Sequence, residues 1–312
     1  MKTNCLYCYL SVEEGKDFHE KCASLFFNSP IASIVDYSLD EMEKLAKDIV
    51  DRSISVPGVQ AKLSMSVDKS TKDKSNNRLT VVGALGGNYI FKPPTARFPE
   101  MPENEHLTMR IAELLGMKVV PSSLIRLKSG ELGYITKRID RDDDTKIHML
   151  DMFQITEAFD KYKGSMEKIG KAIHLYSENT LLDSLFFFEI TLFSFLTGNN
   201  DMHLKNFSMI EYARGWTLAP AYDLLNVAIV LPEDEEELAL TLSGKKKKLK
   251  REHFELFAKE LGLTTKQIMG VFNRFEAKWN EIFALIDVSF LSNASKNKYK
   301  KLMYTRFKRI YH

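Results

Sequence analysis

Residues 181–197, LLDSLFFFEITLFSFLT, constrain the fold of this chain more than any other segment. They are apolar on every side rather than along one stripe, so a helix there has to be enclosed by other protein. A bilayer crossing takes roughly 20 such residues; this run is shorter and carries Asp183 and Glu189. The reading is therefore a buried core helix in a soluble, cytoplasmic protein with no membrane association. Covering it on all sides takes layers of further elements. A chain of 312 residues can supply them, as two average domains or one large two-lobed one. Hydrophobic residues at 44% and charged residues at 28% are ordinary for a folded chain and exclude extensive disorder. Lys+Arg 44 against Asp+Glu 42 leaves a net charge of +2, which argues against a protein that coats DNA. Three cysteines cannot pair completely, so a disulfide scaffold is excluded and a reducing compartment expected. Residues 1–10 hold one lysine and no sustained apolar stretch, so no secretory signal is expected.

The hydrophobic period changes along the chain. Residues 38–51 read as a helix, with Leu39, Met42, Leu45, Ala46 and Ile49 on one face and Ser38 with Glu41 as a capping box. Residues 62–67 alternate as a strand. Residues 68–78 contain no apolar side chain and read as a solvated loop. Residues 79–92 are strand-like with a break at Gly86-Gly87, and Pro93-Pro94 end them. A helix follows over 103–115, striped by Leu107, Arg110, Ile111, Leu114 and Leu115 and stopped at Gly116. Residues 118–139 read as paired strands around Ser129-Gly130. Beyond the charged loop at 141–146 the pattern is helical, except for two short strands around Arg214-Gly215. Near the end, Ile268, Val271, Phe272, Phe275, Trp279, Ile282, Phe283 and Ile286 repeat at helical intervals and read as core. Strands first and helices afterwards indicate an α+β fold or two unlike lobes. The expected divisions are a short Cys/His-containing segment over 1–30, a strand-rich lobe over 31–150 and a helical lobe over 151–312.

Four stretches carry groups suited to chemistry. Cys5 and Cys8 are spaced C-x-x-C, and His19 and Cys22 follow as H-x-x-C. These can hold a tetrahedral Zn²⁺, or the cysteines can pack reduced as small hydrophobes beside Tyr7 and Phe18. SISVPGVQAK, residues 53–62, sets Gly58 among small residues with Lys62 close by. It can bring backbone N–H groups toward phosphates, although taken alone such a stretch reads as a plain turn. In YIFKPP, Lys92 closes an apolar strand, and taken alone it reads as a snorkelling surface lysine. GNNDMHLKNF, residues 198–207, is the sharpest. It packs Asp201, His203, Lys205 and Asn206 directly after the buried helix, with Asp201 and Asn206 spaced D-x-x-x-x-N. Protein kinases use that spacing for a base that accepts the substrate hydroxyl proton and an amide that binds Mg²⁺. Asp223 in PAYDLLN lies 17 positions beyond Asn206, past a predicted hairpin, and is a second carboxylate suited to Mg²⁺. A polar loop capping a helix does not account for a loop, a hairpin and a second acid in that order.

SVPGVQAK, NEHLTMRIAELLG, GNNDMHLKNF, LAPAYDLLN and LALTLSGKKKKLKREHFELFAKELGL together resemble the HipA family of bacterial serine/threonine kinases, from about Ser53 to the end of the chain. The resemblance implies a two-lobed protein-kinase-like fold, a strand-rich N-lobe and a helical C-lobe with ATP in the cleft. It implies Asp201 as catalytic base and Asn206 and Asp223 as Mg²⁺ ligands. Lys92 matches the lysine on the ATP phosphates, and Pro57, Gly58, Val59, Gln60, Ala61 and Lys62 match the loop over the nucleotide. His203, Lys205 and Tyr222 fall at ATP-site positions, and Leu150, Asp151 and Met152 resemble the hinge whose backbone meets adenine. Ser55 matches an autophosphorylated serine, with Ser53 as a second candidate. Glu105 is the looser match to the helix acid that pairs with the lysine.

The compact length resembles the HipT branch, the kinase of HipB–HipS–HipT toxin–antitoxin systems. There a separate HipS protein resembles the additional N-terminal subdomain of HipA. The implied partners are HipS-like and HipB-like antitoxins, with DNA met only through the latter. The implied substrate is an aminoacyl-tRNA synthetase. Other functions open to the same residues are a small-molecule kinase and a catalytically silent nucleotide-binding module of a repressor complex. The runs PEDEEE (232–237) and KKKKLKR (245–251) largely cancel and read as a solvated edge rather than a nucleic-acid patch.

Overall fold

The computed structural model describes residues 3–52, 62–67, 77–82, 86–142 and 145–312. They form two compact units. The first comprises residues 1–106, 120–143 and 288–290, and the second residues 107–119, 144–287 and 291–312.

The first unit opens with two short paired strands, β1 (Thr3–Asn4) and β2 (Ser11–Val12), and the helix α1 (Glu20–Phe27). Helix α2 (Leu39–Arg52) starts at the expected box: the Ser38 N–H donates to Glu41 Oε2 at 2.7 Å, and the Glu41 N–H to Ser38 Oγ at 3.3 Å. Met42 and Ala46 on its apolar face are buried. Strands β3 (Leu63–Val67), β4 (Leu79–Val81) and β5 (Tyr89–Lys92) follow, and then helix α3 (Met101–Leu114), within which the division between the units falls. Strands β6 (Ser122–Arg126) and β7 (Leu132–Lys137) complete an antiparallel sheet of order β4-β3-β5-β7-β6, and β8 (Arg141–Asp142) follows. Phe91 lies opposite Leu63 on one side and Ile135 on the other, and all three are buried. Gly133 is what admits the Phe91 ring: a Cβ there would lie 2.3 Å from it, well inside van der Waals contact.

Beyond residues 107–119, the second unit continues with β9 (Thr145–Lys146), β10 (Met149–Asp151) and the short helix α4 (Met152–Ile155), followed by α5 (Met166–Tyr176) and α6 (Thr180–Thr197). Strands β11 (Ser208–Tyr212) and β12 (Gly215–Leu218) pair with β10 in an antiparallel sheet of order β10-β11-β12. The rest is helical: α7 (Arg251–Glu260), α8 (Thr265–Ala277), α9 (Trp279–Val288) and α10 (Asn293–Tyr311). The late amphipathic stripe is real but is divided between α8 and α9, with the break at Lys278.

Helix α6 is long and apolar enough by composition to cross a membrane, yet here it is the core of the second unit. Phe187 packs edge-on against Phe207 (5.3 Å) and Phe257 (5.7 Å), and Phe188 against Phe272 (5.9 Å). Most of its polar side chains are satisfied locally, with buried Ser184 Oγ as the exception. Asp183 Oδ2 accepts from the Leu218 N–H (2.7 Å) and Ser177 Oγ (2.5 Å), and Glu189 pairs with Arg274 at 2.6 Å. Thr191, Ser194 and Thr197 donate to the carbonyls of Phe187, Ile190 and Phe193 one turn back. The acidic and basic runs also meet as expected, with Lys246 on Glu236 at 3.0 Å and Lys247 on Glu235 at 3.1 Å.

Candidate active site

The second unit gathers most of the chemistry-bearing residues at the C-terminal end of α6. Gly198 ends the helix at φ +78, the left-handed region that glycine enters without penalty. A Cβ there would also fall 2.7 Å from Asn226 Oδ1, so only glycine lets the chain turn against the Asp223–Asn226 segment. The turn leads straight into Asp201. From there the loop folds on itself: the His203 N–H donates to the Asp201 carbonyl (2.8 Å), and the Asn206 N–H to the His203 carbonyl (2.9 Å). Asn206 Nδ2 donates to the Asp201 carbonyl at 3.0 Å. That bond turns the amide nitrogen of Asn206 toward the loop backbone and leaves its carbonyl oxygen Oδ1 as the end able to face a cation.

Asp223 is brought to the same place by Asn199, a fully buried residue. Asn199 Nδ2 donates to the Asp223 carbonyl, and Asn199 Oδ1 accepts from the Asp201 N–H, each at 3.4 Å. Asp223 itself sits at φ +55. A non-glycine residue in that region carries backbone strain that the surrounding packing has to hold, a frequent mark of functional positions. Amide and carboxylate oxygens of this kind are hard donors and fit Mg²⁺ rather than a soft metal.

Around this core lie the other expected residues. His203 is buried, and burial holds its imidazole below the ordinary value; Lys161 acts in the same direction, while Asp201 and Asp223 oppose it. Its Nδ1 atom is buried with no hydrogen-bond partner. Tyr222 donates to the Lys205 carbonyl at 3.1 Å and shares a 2.5 Å hydrogen bond with Ser208 Oγ. Burial, with the nearby Asp223 and Asp151 charges, raises its phenol well above the usual range, so it stays neutral. Lys205 is exposed, with Nζ 4.7 Å from the centre of the Phe153 ring.

Leu150 and Asp151 lie on β10, an edge strand, and Met152 opens α4. The Met152 N–H donates to the Phe207 carbonyl (2.8 Å), and the His148 carbonyl accepts from the Glu211 N–H (2.9 Å). By the alternation of an antiparallel ladder, the backbone groups of Met149 and Asp151 then face the open edge. Asp151 N–H is engaged by Gln154 Oε1 at 3.1 Å in a capping box. The backbone groups left to the open edge are therefore those of Met149 and the Asp151 carbonyl, while Leu150 and Met152 turn theirs toward β11. Strand β10 itself goes unnoticed in the sequence, because three residues are too few to show a period of two.

Two participants escape sequence reasoning. Asn199 reads only as one of a polar pair. Tyr162, 39 residues before Asp201, donates its hydroxyl to Asp201 Oδ1 at 2.7 Å and sets its ring edge-on to His203 (5.1 Å, 81°). No local pattern in the DKYKG turn announces that contact, although the Leu204 N–H donating to the Lys161 carbonyl (3.1 Å) shows what holds the turn against the loop.

In the first unit, Lys92 is 3% exposed, and its Nζ lies 2.6 Å from Glu105 Oε1 on α3 and 5.3 Å from the centre of the Tyr134 ring. The surface reading of Lys92 fails because β5 runs into the interior, and the looser match to Glu105 is the one the geometry supports. Lys62 is exposed. Ser53, Ser55, Pro57, Gly58, Val59, Gln60 and Ala61 lie outside the described residues. Cys5, Cys8, His19 and Cys22 come together at the start of the unit, with their ligand atoms within 4.8 Å of one another.

Comparison with known proteins places these observations. The chain is 33% identical over 247 residues to the Sinorhizobium fredii protein named "Putative kinase Y4dM", a match covering 72% of this chain and 59% of that one. It is 25% identical over 216 residues to the serine/threonine-protein kinase toxin HipA of Shewanella oneidensis, covering 61% and 46% respectively. The matched region thus spans about half the length of these relatives. In fold, it is similar to the HipA chain of the solved Shewanella oneidensis HipA–HipB–operator DNA complex, with a TM-score of 0.70 at 20% identity over 96% of this chain and 75% of that one. The model of the HipA-like C-terminal domain matches residues 54–282, a span that holds both the Lys92–Glu105 pair and the Asp201–Asp223 cluster, and the chain therefore belongs to that family.

Proposed function

We propose that this chain is an ATP-dependent serine/threonine protein kinase, the toxin component of a bacterial toxin–antitoxin system acting in the cytoplasm. The observation that carries the reading is the Asp201 loop, closed by Asn206 at 3.0 Å and tied through Asn199 to Asp223. Phosphoryl transfer asks little covalent chemistry of a protein; positioning and charge stabilisation supply most of the rate. A rigid loop presenting one carboxylate, one amide oxygen and a second carboxylate suits that task.

Asn206 through Oδ1 and Asp223 through its carboxylate would hold Mg²⁺, whose chemistry there is to neutralise phosphate charge. Asp201 acts on the acceptor. Tyr162 occupies Oδ1 as a donor, which orients the carboxylate and leaves Oδ2 to receive the incoming hydroxyl and its proton. Buried His203 within the loop, disfavoured in its charged form, adds no positive charge to compete for Asp201. Lys92, held by Glu105, supplies positive charge for the nucleotide phosphates, and the open edge of β10 offers backbone groups to adenine. Ser55 or Ser53 is the site of regulatory autophosphorylation. A phosphate adds about −1.5 to −2 charges at neutral pH, which would repel a triphosphate from the same loop.

The serine/threonine specificity follows the name of the Shewanella relative, and the partnership with a HipB-like antitoxin follows the solved complex. The HipT branch, a HipS-like partner and an aminoacyl-tRNA synthetase substrate complete the proposal. Incubation of the pure protein with radiolabelled ATP and Mg²⁺ tests the reading. Self-labelling lost in Asp201→Ala is expected. Nucleotide binding with no transfer, or transfer to a metabolite alone, would overturn it. Phosphoproteomics after induced expression then reports the substrate, with a synthetase phosphopeptide as the expected product.

A further inference from the structure

The first 22 residues lie outside the span matched by the family model, and the kinase chemistry makes no use of them. We propose that Cys5, Cys8, His19 and Cys22 form a structural Zn²⁺ site that clamps the N-terminal segment onto the first unit.

The geometry suits a metal better than a cluster of thiols. Zinc bound at about 2.3 Å to sulfur and about 2.0–2.1 Å to nitrogen in a tetrahedron requires sulfur–nitrogen edges of about 3.6 Å. His19 Nδ1 lies 3.5 Å from Cys8 Sγ and 3.7 Å from Cys22 Sγ. Its other nitrogen, Nε2, lies 2.9 Å from the Ser11 carbonyl. That contact places the proton on Nε2 and leaves the Nδ1 lone pair pointing at the sulfurs, the arrangement that orients metal-bound histidines. One lone pair can accept only one good S–H hydrogen bond, whereas one cation satisfies both sulfurs and the ring at once. Three thiolates and an imidazole select zinc over the oxygen-loving divalent ions. Four protein ligands close the shell, so the site is structural rather than catalytic. A disulfide would consume two cysteines and strand the third, and all three cysteines are free.

The backbone is shaped for the same purpose. The Cys5 N–H donates to the Leu10 carbonyl (2.8 Å) and the Tyr9 N–H to the Cys5 carbonyl (3.0 Å), so the C-x-x-C pair sits on a tight turn, with Tyr9 at φ +67. Strands β1 and β2 pair over two residues only, so the ladder by itself does little to hold such a turn.

The clamp has work to do. Leu6 accepts from the Leu124 N–H on β6 at 3.2 Å, and Asp17 pairs with Arg126 at 2.9 Å. Beside Cys8, the buried Tyr9 hydroxyl meets His106 Nδ1 at 2.8 Å. His106 follows Glu105, the partner of Lys92. Fixing the turn therefore fixes the start of α3 behind the ion pair.

The test is metal analysis of the full chain purified without added metal. One zinc per chain is expected by mass spectrometry. Substitution with Co²⁺ should give the visible bands of a tetrahedral centre, with thiolate-to-cobalt charge transfer in the near ultraviolet. His19→Cys should retain the metal through a fourth thiolate, whereas His19→Ala and the Cys8→Ser, Cys22→Ser pair should lose it. Native wild-type protein that is free of metal, with all three thiols reacting at once, would overturn the proposal. Zinc retained at full stoichiometry in the Cys8→Ser, Cys22→Ser pair would also overturn it. The wild-type measurement stands even where a variant fails to fold.

Discussion

Replacing Glu105 by Ala strips the carboxylate from an ammonium that has almost no access to water. The side chains of Lys92 and Glu105 are 4% and 2% exposed, and their charged atoms are 2.6 Å apart. Removing one partner of such a buried pair typically costs about 3–5 kcal/mol, because the remaining charge stays desolvated. At about 1.4 kcal/mol per tenfold, that is a change of roughly a hundredfold to a few thousandfold in the folding equilibrium. Lys92→Met should cost less than Glu105→Ala, since a neutral carboxyl can survive burial by taking up a proton. The double variant Lys92→Met, Glu105→Leu removes both charges and keeps the volume, so its stability should return to within about 1 kcal/mol of wild type. The assay is urea unfolding followed by far-ultraviolet circular dichroism. Tryptophan fluorescence reports on the second unit, which holds both Trp216 and Trp279, and not directly on the unit that holds the pair. Phosphoryl transfer should stay absent in the double variant although the fold is restored, which separates the two roles of the lysine. Single-variant costs that simply add in the double, or a Glu105→Ala protein as stable as wild type, would refute the reasoning.

Further outcomes follow from both units. Asn199→Ala removes both links between the Asp201 loop and Asp223; kcat should fall about tenfold to a hundredfold with the fold intact, as expected for one or two lost positioning hydrogen bonds. Tyr162→Phe takes the donor from Asp201 Oδ1 and should lower kcat by about tenfold while leaving KM for ATP unchanged, a split readable in steady-state kinetics. The pH dependence of stability should carry two opposite signatures. Burial holds His203 below its ordinary 6.5, so the unfolded chain binds the extra proton, and this group weakens the fold as pH falls below about 6.5. Burial raises Glu103 to about 7, so its contribution is complete at low pH and is lost as pH rises through about 7. In unfolding measured from pH 5 to 8, His203→Gln and Glu103→Gln should therefore change the slope in opposite directions. Gly198→Ala forces a side chain into the left-handed region and onto Asn226 Oδ1, and should lower both stability and transfer.

The parts of the molecule written in local order were legible from the sequence. The Ser38–Glu41 box, the hairpin at Arg214-Gly215, the enclosed helix and the D-x-x-x-x-N loop depend on neighbours within a few residues, and each is present as expected. What was illegible depends on distant partners. Lys92 read as a surface group because nothing near it in the chain shows that Glu105 will arrive from the next helix. Tyr162 and Asn199 have no motif, only contacts across 39 and 24 positions. The edge strand β10 is too short for periodicity, and its identity comes from pairing with β11. Which backbone groups of Leu150, Asp151 and Met152 face the open edge is not written in the sequence, because that choice is made by the ladder and not by side chains.

The central claim is that Asp201, Asn206 and Asp223 form one phosphoryl-transfer centre. A crystal structure of the full chain with Mg²⁺ and a non-hydrolysable ATP analogue tests it most directly. The account expects a cation held by Asn206 Oδ1 and the Asp223 carboxylate, touching the terminal phosphates, with Asp201 Oδ2 open beside the last phosphorus. A nucleotide bound away from these three residues, or a cation that leaves both Asn206 and Asp223 untouched, would contradict it.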